Sequence, residues 1–265
     1  MFWVIQDNFR DEKNYQPLLE QLDRQKVPYQ ICKMIPFGKT IEPDIDRTDP
    51  VFVIGATSLK YVAEKKGWQP GYLDGINYED LLQNYGDRML NNGGIVSTLA
   101  GATKHWENFF CRPCLDGKQF SGMRTTWEQF EDWRQRVIAL DGQENSWVSL
   151  KAEDRIFCGP MKNIYAEYRF WVVDGKAITA SLYKRGGRVL YSGEVDGAIY
   201  YYAQETADIW QPNRAFVLDI AVVEDEQDGR GEFRVIEINS INSAGLYACD
   251  MGKFVAAIEQ MAPDK

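Results

Sequence analysis

The chain has 265 residues, of which 45% are hydrophobic and 13% aromatic, and it carries a formal net charge of -9. This composition excludes a disordered chain and predicts a large core, in about two domains or in one composite domain. The excess of acidic residues argues against a general surface that binds the phosphates of nucleic acid, so nucleic acid is not an expected partner.

The sequence also bears on compartment. No apolar run approaches the roughly 18 residues of a membrane span, and residues 1–7 lack the basic start and long apolar core of a signal peptide. The five cysteines are scattered and odd in number, unlike a secreted disulfide framework. Cys111 and Cys114 have redox spacing, but we interpret them as two partly buried thiols because no second pair accompanies them. We expect a soluble cytoplasmic protein with no membrane partner.

The N-terminal part alternates between predicted strands and helices. Strands are predicted at 2–6, 27–35 and 50–56, and helices at 15–25 and from about 57 to 67. This order predicts a Rossmann-like α/β unit with a parallel sheet. A further helix is predicted at 78–85, and Asn91-Asn92-Gly93-Gly94 is the clearest break in the chain. We place the domain boundary there, with a first domain of residues 1–94 and a second of 95–265.

The second half begins with a strand at 109–113 and a helix at 127–140, which a capping box of Thr125 and Glu128 would open. A strand is predicted at 147–151. Two β-rich runs, 166–173 and 176–184, flank Asp174-Gly175, the strongest short-range signal for a hairpin. A helix at 203–210, strands at 215–223 and 235–239, and a final helix at 251–261 complete the prediction.

Three oxygen-bearing side chains lie on the last two predicted strands. Asp219 interrupts an otherwise apolar strand, where a carboxylate needs a partner. Glu237 and Asn239 are two residues apart on the next strand, so their side chains point to one face. If the strands pair, Asp219, Glu237 and Asn239 converge into an all-oxygen site that suits Mg²⁺. Taken singly, each also fits a structural role: a buried Asp satisfied by backbone donors, an ion-paired Glu, or an Asn that caps a turn.

Several cations lie on earlier strands: Arg112, Lys118, Lys151, Arg169, Lys184 and Arg185. Phosphoryl transfer from a nucleotide needs a metal that bridges the phosphates and cations that neutralise the transferred group. The chain has neither a P-loop nor the His-Arg-Asp and Asp-Phe-Gly motifs of protein kinases. His105 is the only histidine of the chain, so a Ser-His-Asp relay or a multi-histidine metal site would have only this one imidazole available. Each cation alone also fits a solvated or ion-paired strand residue.

The order of these features resembles the ATP-grasp superfamily, most closely its small clade named for two arginines and one lysine. The resemblance covers the chain nearly end to end. In the first half of the chain it rests on the N-terminal α/β unit with Gly67-Trp68-Gln69-Pro70-Gly71, and on Arg112-Pro113 through Asp116, Lys118 and Phe120-Ser121-Gly122. In the second half it rests on Glu167-Tyr168-Arg169-Phe170, on Leu218-Asp219-Ile220, and on Glu237-Ile238-Asn239 with Asn242-Ser243-Ala244-Gly245-Leu246-Tyr247. Each motif alone is weak, whereas their order is fairly specific.

The resemblance implies a pre-ATP-grasp domain followed by a two-lobed ATP-grasp domain with antiparallel sheets, lobe one at about 95–150 and lobe two at about 151–265. ATP would lie between the lobes. Lys118 and Lys151 would reach the nucleotide, with 149–153 as the adenine hinge and Glu153 near the ribose, although no proline follows Glu153 as in the usual hinge. Asp219, Glu237 and Asn239 would hold Mg²⁺. Arg112, Arg169 and Lys184 would stabilise the transferred phosphoryl group or the substrate carboxylate.

The resemblance also implies the reaction. In this superfamily a substrate carboxylate attacks the γ-phosphate to give an acyl phosphate, and an amine then displaces phosphate. We therefore expect an ATP- and Mg²⁺-dependent carboxylate-amine ligase that acts on a small molecule or peptide with a carboxylate and on an amine acceptor. Two alternatives stay open, namely a small-molecule kinase on the same fold and a non-catalytic nucleotide-binding protein. A route through a phosphorylated histidine is disfavoured, because His105 matches no such motif.

Overall fold

The computed structural model describes residues 1–7, 15–35, 38–115, 120–143, 149–224 and 231–261. These residues form three β-sheets and six α-helices. Each sheet is built from one continuous part of the chain, so the sheets follow one another in sequence. None of the described helices is both long enough and apolar enough to cross a bilayer.

The first sheet comes from the N-terminal part of the chain. Its elements are β1 (Phe2–Gln6), α1 (Tyr15–Gln25), β2 (Tyr29–Ile35), β3 (Thr40–Glu42), β4 (Val51–Ile54), α2 (Leu59–Lys66) and β5 (Pro70–Gly71). The strand order is β3-β2-β1-β4-β5, and neighbours are parallel except β2 and β3. Every residue of β1 and β4 is buried, as expected for central strands covered on both faces. The predicted parallel α/β unit is therefore confirmed, with β3 as an antiparallel addition.

The second sheet follows α3 (Tyr78–Tyr85) and a 3₁₀ turn at Gly86–Arg88. It contains β6 (Ile95–Thr98), β7 (Asn108–Pro113), β8 (Met123–Thr126) and β9 (Arg155–Pro160), with α4 (Trp127–Leu140) between the last two. The order is β6-β9-β7-β8, and all neighbours are antiparallel. Helix α4 covers this sheet by packing Phe130 and Val137 into a core with Phe109 and Ile156.

Helix α4 has the predicted bounds, but its capping box lies one residue later than predicted. The Thr126 hydroxyl accepts the Gln129 backbone N–H at 3.2 Å, and the Gln129 side-chain oxygen accepts the Thr126 N–H at 3.4 Å. Thr125 and Glu128 do not form the box, because Thr126 is the residue that has extended backbone angles before the first helical residue. Glutamine at the third helical position replaces the expected glutamate.

The third sheet contains the predicted hairpin. Its elements are β10 (Ile164–Val173), β11 (Lys176–Arg185), β12 (Arg188–Ser192), α5 (Gly197–Ile209), β13 (Ala215–Glu224) and β14 (Gly231–Asn239), and α6 (Met251–Gln260) follows. The order is β12-β11-β10-β13-β14 with antiparallel neighbours throughout. The predicted pairing of the last two strands is confirmed. Helix α5 begins six residues before its predicted start, because the Asp196 side chain caps it at the Ala198 N–H, 2.7 Å away.

The change from the second sheet to the third differs from the prediction. β9 belongs to the second sheet, so the chain passes between sheets at 161–163 and not near 151. Residues 149–151 form no strand, and the other residues of the strand predicted at 147–151 lie outside the described part of the chain. Residues 151–154 instead form a turn, in which the Lys151 N–H donates to the Asp154 carboxylate at 2.7 Å.

One hydrophobic core joins the first sheet to the C-terminal part of the chain. Trp3 of β1, Trp171 of β10 and Phe254 of α6 belong to a single buried cluster. The indole N–H of Trp3 donates to Glu259 at 2.7 Å, so the first strand is tied to the last helix. The predicted division at residue 94 falls in the loop before β6, but the N-terminal unit shares its core with the rest of the protein.

Candidate functional site

The candidate site is arranged by the register of three adjacent strands. Arg169 on β10 lies directly opposite Asp219 on β13, and Asp219 lies opposite Glu237 on β14. Directly opposed residues of an antiparallel pair share a face, so these side chains form a row across the sheet. Asn239, two residues beyond Glu237, joins the same face.

Arg169 and Asp219 form a buried bidentate ion pair. Arg169 Nε donates to Asp219 Oδ1 at 2.8 Å, and Nη2 donates to Oδ2 at 2.7 Å. The side chains are only 9% and 1% exposed. Burial lowers the pKa of the Arg169 guanidinium, but the charge and hydrogen bonds of Asp219 outweigh burial and raise it. Burial raises the pKa of the Asp219 carboxyl, and Arg169 opposes that shift.

Asn239 connects Asp219 to Glu237. Its amide Nδ2 lies 3.2 Å from Asp219 Oδ2 and 3.0 Å from Glu237 Oε1. Glu237 Oε2 accepts from Arg112 Nη1 at 2.8 Å. Burial alone would raise the pKa of the Glu237 carboxyl, but Arg112, Asn239 and Arg169 together hold it below its ordinary value.

Arg112 reaches this row from another sheet. It lies on β7 of the second sheet, 125 residues before Glu237 in the chain. Its guanidinium sits 4.3 Å from the centre of the Tyr78 ring, a cation–π contact with α3. Burial raises the pKa of Tyr78 to about 12, so this ring is a neutral phenol near pH 7.

Lys184 is the third predicted cation at the site. Its Nζ donates to Glu167 Oε1 at 2.6 Å, and the Tyr183 hydroxyl donates to Glu167 Oε2 at 2.8 Å. Glu167 and Lys184 are opposed in register on β10 and β11. Glu167 therefore holds the lysine at the edge of the same sheet face that carries Arg169.

Stacked tyrosine rings cover the buried ion pair. The ring of Tyr247 stacks on Tyr183 at 5.1 Å and on Tyr191 at 5.0 Å. Arg169 lies 4.8 Å from the Tyr247 ring centre and 5.6 Å from that of Tyr183. Tyr247 has a positive φ of 47°, which a non-glycine residue adopts rarely, so the loop after β14 holds this ring in place at some backbone cost.

A cleft of about 300 Å³ lies between the second and third sheets and contains part of this row. Its charged lining consists of Arg112, Arg124, Lys162, Glu167, Lys184 and Glu237. Its other lining includes six apolar residues: Leu90, Phe110, Pro160, Met161, Ile164 and Ile236. A neighbouring groove of about 420 Å³ shares Arg124, Lys162, Ile164, Glu167 and Lys184 with the cleft.

The donor set fits a magnesium ion. Asn239 Nδ2 lies within hydrogen-bonding distance of both Asp219 and Glu237, and each of the three side chains carries a hard oxygen of the kind that Mg²⁺ prefers. A carboxylate has about four acceptor positions, so the bonds from the two arginines leave further positions on Asp219 and Glu237. Only two of the three are carboxylates, and no group of three or more His, Cys, Asp or Glu residues with metal-site geometry occurs in the described part of the chain. Such a site suits an ion that keeps waters or shares substrate phosphates.

The structure brings together six of the nine predicted site residues: Arg112, Arg169, Lys184, Asp219, Glu237 and Asn239. Lys151 and Glu153 lie in the exposed turn before β9 and are not brought into this group. Lys118 lies outside the described residues. The chain changes from the second to the third sheet at 161–163, and residues 149–153, the expected hinge, lie before β9.

Sequence reasoning missed several residues of the cleft: Tyr78, Arg124, Lys162, Glu167 as a partner of Lys184, and Tyr183. The alternation of β10 placed Glu167 on the face of Arg169, which is a usable signal. Tyr78 carried no such signal, because its contact with Arg112 depends on how α3 packs against the second sheet.

The fold is that of an ATP-grasp protein. The profile of an ATP-grasp domain family, the third family of the clade named for two arginines and one lysine, matches residues 22–258, so the chain belongs to that family. The resemblance and fold class predicted from the sequence are confirmed. The ATP-grasp domain supports the expected class of enzyme, an ATP-dependent ligase, and its expected cofactors, ATP and Mg²⁺.

Solved structures of ATP-grasp enzymes share the fold over almost the whole chain. D-cycloserine synthetase DcsG matches with a TM-score of 0.63 at 13% identity, covering 97% of this chain and 98% of that chain. The ATP-grasp ligase PsnB with a minimal precursor matches with a TM-score of 0.57 at 16% identity, covering 98% of this chain and 99% of that chain. D-alanine–D-alanine ligase from Bacillus anthracis with ATP matches with a TM-score of 0.56 at 13% identity, covering 97% of this chain and 91% of that chain. A comparison with curated proteins gives no match.

Proposed function

We propose that this protein is a carboxylate-amine ligase that joins an acid to an amine through an acyl phosphate. The observation that carries the proposal is the cleft between the second and third sheets, which is apolar on one part of its lining and charged on another. An adenine ring suits the apolar part, and a triphosphate with Mg²⁺ suits the part that contains Arg112, Lys184 and Glu237.

The connection at 161–163 is our proposed adenine hinge. It joins the two sheets that form the cleft, and Pro160, Met161 and Ile164 line the cleft beside it. This proposal replaces the expected hinge at 149–153. We correspondingly propose an N-terminal unit of residues 1–94, a first lobe of 95–160 and a second lobe that begins near 164.

The charged residues have separate proposed tasks. Glu237 and Asn239, with Asp219 behind them, hold Mg²⁺, which supplies charge neutralisation at the phosphates when bound. Arg112 lines the cleft and donates to the transferred phosphoryl group or to the substrate carboxylate. Lys184, held by Glu167 at 2.6 Å, donates to the phosphates. These groups are fixed before the reaction, which is the condition under which electrostatic stabilisation is effective.

The proposed reaction has two displacement steps. A carboxylate oxygen of the acid attacks the γ-phosphorus, and ADP leaves with the electron pair of the broken P–O bond. The amine nitrogen then attacks the carbonyl carbon of the acyl phosphate, loses a proton and expels inorganic phosphate. The protein contributes alignment of the reacting atoms and neutralisation of charge in both steps.

The substrates are proposed only as a class. PsnB has been solved with a precursor peptide, and the other two enzymes are named as a D-alanine–D-alanine ligase and a D-cycloserine synthetase. We propose that this chain takes a peptide or a small amino acid as the carboxylate and a primary amine as the acceptor. The proposed compartment is the cytoplasm, where its cysteines, all free thiols in the structure, would stay reduced.

Release of ADP and phosphate by the purified chain tests the proposal. The assay combines ATP and Mg²⁺ with a panel of amino acids, short peptides and polyamines, and mass spectrometry identifies products. A ligase releases ADP only when both an acid and an amine are present, and its product has the mass of the pair less one water. Glu237→Ala is expected to abolish release while the variant still folds, which a cooperative thermal transition shows. Glu107→Gln, at an exposed glutamate paired with Lys104, is the matched control.

Other outcomes assign the alternatives. A stable phosphorylated product without free phosphate identifies a small-molecule kinase. Thermal stabilisation by ATP without turnover of any pair in the panel favours a non-catalytic nucleotide-binding protein. Full activity of Glu237→Ala contradicts the assigned metal site.

A further inference from the structure

Two cysteines lie directly opposite each other in the second sheet. Cys111 on β7 is the register partner of Cys158 on β9, and these strands are antiparallel neighbours, so the two side chains share a face. The two thiols form a hydrogen bond. Cys111 is fully buried in the core beneath α4, whereas Cys158 packs against that core and is partly exposed. The pair therefore combines one sulfur that solvent can reach with one that is protected.

The register gives this pair the spacing that a disulfide needs. Opposed residues of an antiparallel pair have Cα atoms about 4.5 or 5.5 Å apart, and a disulfide spans roughly 4.4–6.8 Å between Cα atoms. The Cβ atoms of opposed residues are about 4.5–5.5 Å apart, compared with about 3.8 Å in a disulfide. A bond between the sulfurs therefore needs a movement of roughly 1 Å and no change of register.

Cys114 is not the partner of Cys111, although the two have redox spacing in the sequence. Side chains three residues apart along an extended chain point to opposite faces. Cys111 packs with Phe130 beneath α4, whereas Cys114 belongs to a different buried cluster, with Tyr78. The sheet register, and not the sequence spacing, decides which two thiols meet.

We propose that Cys111 and Cys158 form a redox-modification site, at which a peroxide converts the two thiols into a reversible disulfide that weakens nucleotide binding in the cleft. The Cys158 sulfur attacks a peroxide oxygen, the O–O bond breaks, and the released hydroxide takes the thiol proton and leaves as water. The Cys111 sulfur then attacks the sulfur of the resulting sulfenic acid, the S–O bond breaks, and a second water leaves with the Cys111 proton. Two thiols are oxidised, and one hydrogen peroxide is reduced to two waters.

Cys158 is the sulfur that reacts first. The hydrogen bond from Cys111 lowers the pKa of the Cys158 thiol against the opposing effect of burial, and the same bond, together with burial, raises the pKa of Cys111. The thiolate is the nucleophile in thiol oxidation, and Cys158 is also the more exposed of the two. Disulfides of cytosolic proteins are usually transient and redox-sensing, which fits a bond that is reduced again when the oxidant is gone.

The residues beside the two cysteines connect the pair to the cleft. Arg112 and Phe157 are opposed in register, and both contact the Tyr78 ring. Arg112 also donates to Glu237 at 2.8 Å, and both of these residues line the cleft. Drawing β7 and β9 together at this position moves Arg112 relative to Glu237. The effect on ATP rests on the proposed function, because it takes Glu237 as a Mg²⁺ ligand, whereas formation of the disulfide does not.

The test uses the full chain, which is reduced, freed of reductant and treated with hydrogen peroxide. Digestion without reductant, followed by mass spectrometry, identifies the linked peptides. Isothermal titration calorimetry measures ATP affinity in the presence of Mg²⁺ before oxidation, after oxidation and after treatment with dithiothreitol. The variants are Cys111→Ala and Cys158→Ala, and Cys114→Ala is the matched control at a neighbouring buried thiol.

We expect peroxide to link the peptides that contain Cys111 and Cys158 in the wild type and in Cys114→Ala. Oxidation should lower ATP affinity in the presence of Mg²⁺ by at least about tenfold, because residues that hold a metal ligand typically change metal affinity by about 10-fold to 100-fold. Dithiothreitol should restore the affinity. Cys158→Ala should keep its ATP affinity after the same treatment.

A link that involves Cys114, or no link between Cys111 and Cys158, overturns the proposal. An unchanged ATP affinity of the linked protein, or an equal loss in peroxide-treated Cys158→Ala, overturns the effect on the cleft. If Cys111→Ala does not fold, Cys158→Ala carries the test, since its side chain is partly exposed. Neither measurement needs a substrate pair, so failure of the proposed ligase reaction is seen separately.

Discussion

Asn242 is the side chain through which the loop after β14 is bonded to the first sheet, and its replacement tests how strongly these parts depend on each other. The side chain is fully buried. Nδ2 donates to the carbonyls of Val53 at 2.6 Å and Gly71 at 3.0 Å, while Oδ1 accepts the Leu73 N–H at 2.8 Å. We expect Asn242→Ala to lower the free energy of unfolding by about 3 kcal/mol.

The magnitude follows from the number of bonds lost. Three neutral hydrogen bonds to the backbone contribute about 1 kcal/mol each, and alanine leaves two carbonyls and one N–H of the backbone without this partner. A fourth and longer bond, from the Ser240 hydroxyl to Oδ1 at 3.3 Å, is also lost. Stranded buried groups cost roughly 1–3 kcal/mol each, so about 3 kcal/mol is near the lower limit unless water enters. A loss of this size is a large fraction of the 5–15 kcal/mol typical of a folded domain.

Urea unfolding measures the effect through the midpoint and the slope of the transition. Asn92→Ala is the matched control, because Asn92 is exposed and bonds only Asp87 at 2.5 Å among the hydrogen bonds described for its side chain. The control should change stability by less than about 0.5 kcal/mol. If Asn242→Ala were equally mild, the loop would not depend on these bonds, and the structural link between the first sheet and the site would be refuted.

Three further predictions concern the helix cap, pH and the hinge. Thr126→Ala should cost about 1 kcal/mol in urea unfolding, and Thr125→Ala distinctly less, because only Thr126 caps α4. The folded-state pKa of Glu237 lies below its ordinary 4.5, so its contribution to stability is present above that value and is lost as pH falls through the folded pKa. The stability difference between wild type and Glu237→Gln should therefore shrink below pH 4.5 in acid unfolding curves. Lys162→Met should raise KM for ATP more than Lys151→Met, since Lys162 lines the cleft.

Much of the third sheet could be predicted because its signals are local. Asp174-Gly175 defines a tight turn, and the turn sets the register of β10 with β11. The apolar run around Asp219 indicates a buried strand, and the spacing of Glu237 and Asn239 places both side chains on one face. Once β13 and β14 pair, register alone brings these three residues together.

The errors occurred where two elements compete for one stretch of sequence. The turn at 151–154 is stabilised by the Asp154 carboxylate, which accepts the Lys151 N–H, and such side-chain bonds compete with a strand ladder. The strand predicted over 147–151 is therefore absent at 149–151, while the hinge and the nucleotide contacts that the resemblance implied for Lys151 and Glu153 stay predictions. The true connection at 161–163 lies between two strands, and its place in the fold depends on which sheet β9 joins.

Contacts between sheets explain why the different burial of the two arginines was not visible in the sequence. Arg112 and Arg169 are equally polar residues on predicted strands, and alternation assigns each to a face without saying what covers that face. In the structure, Arg169 is covered by Tyr247, whereas Arg112 crosses from β7 to Glu237 at the open cleft. Tyr247, whose ring covers Arg169, lies in the loop after β14. Asn242 lies in the same loop and donates hydrogen bonds to the first sheet. The burial of one arginine, and with it the orientation of Asp219, thus depends on packing between parts of the chain that are far apart in sequence.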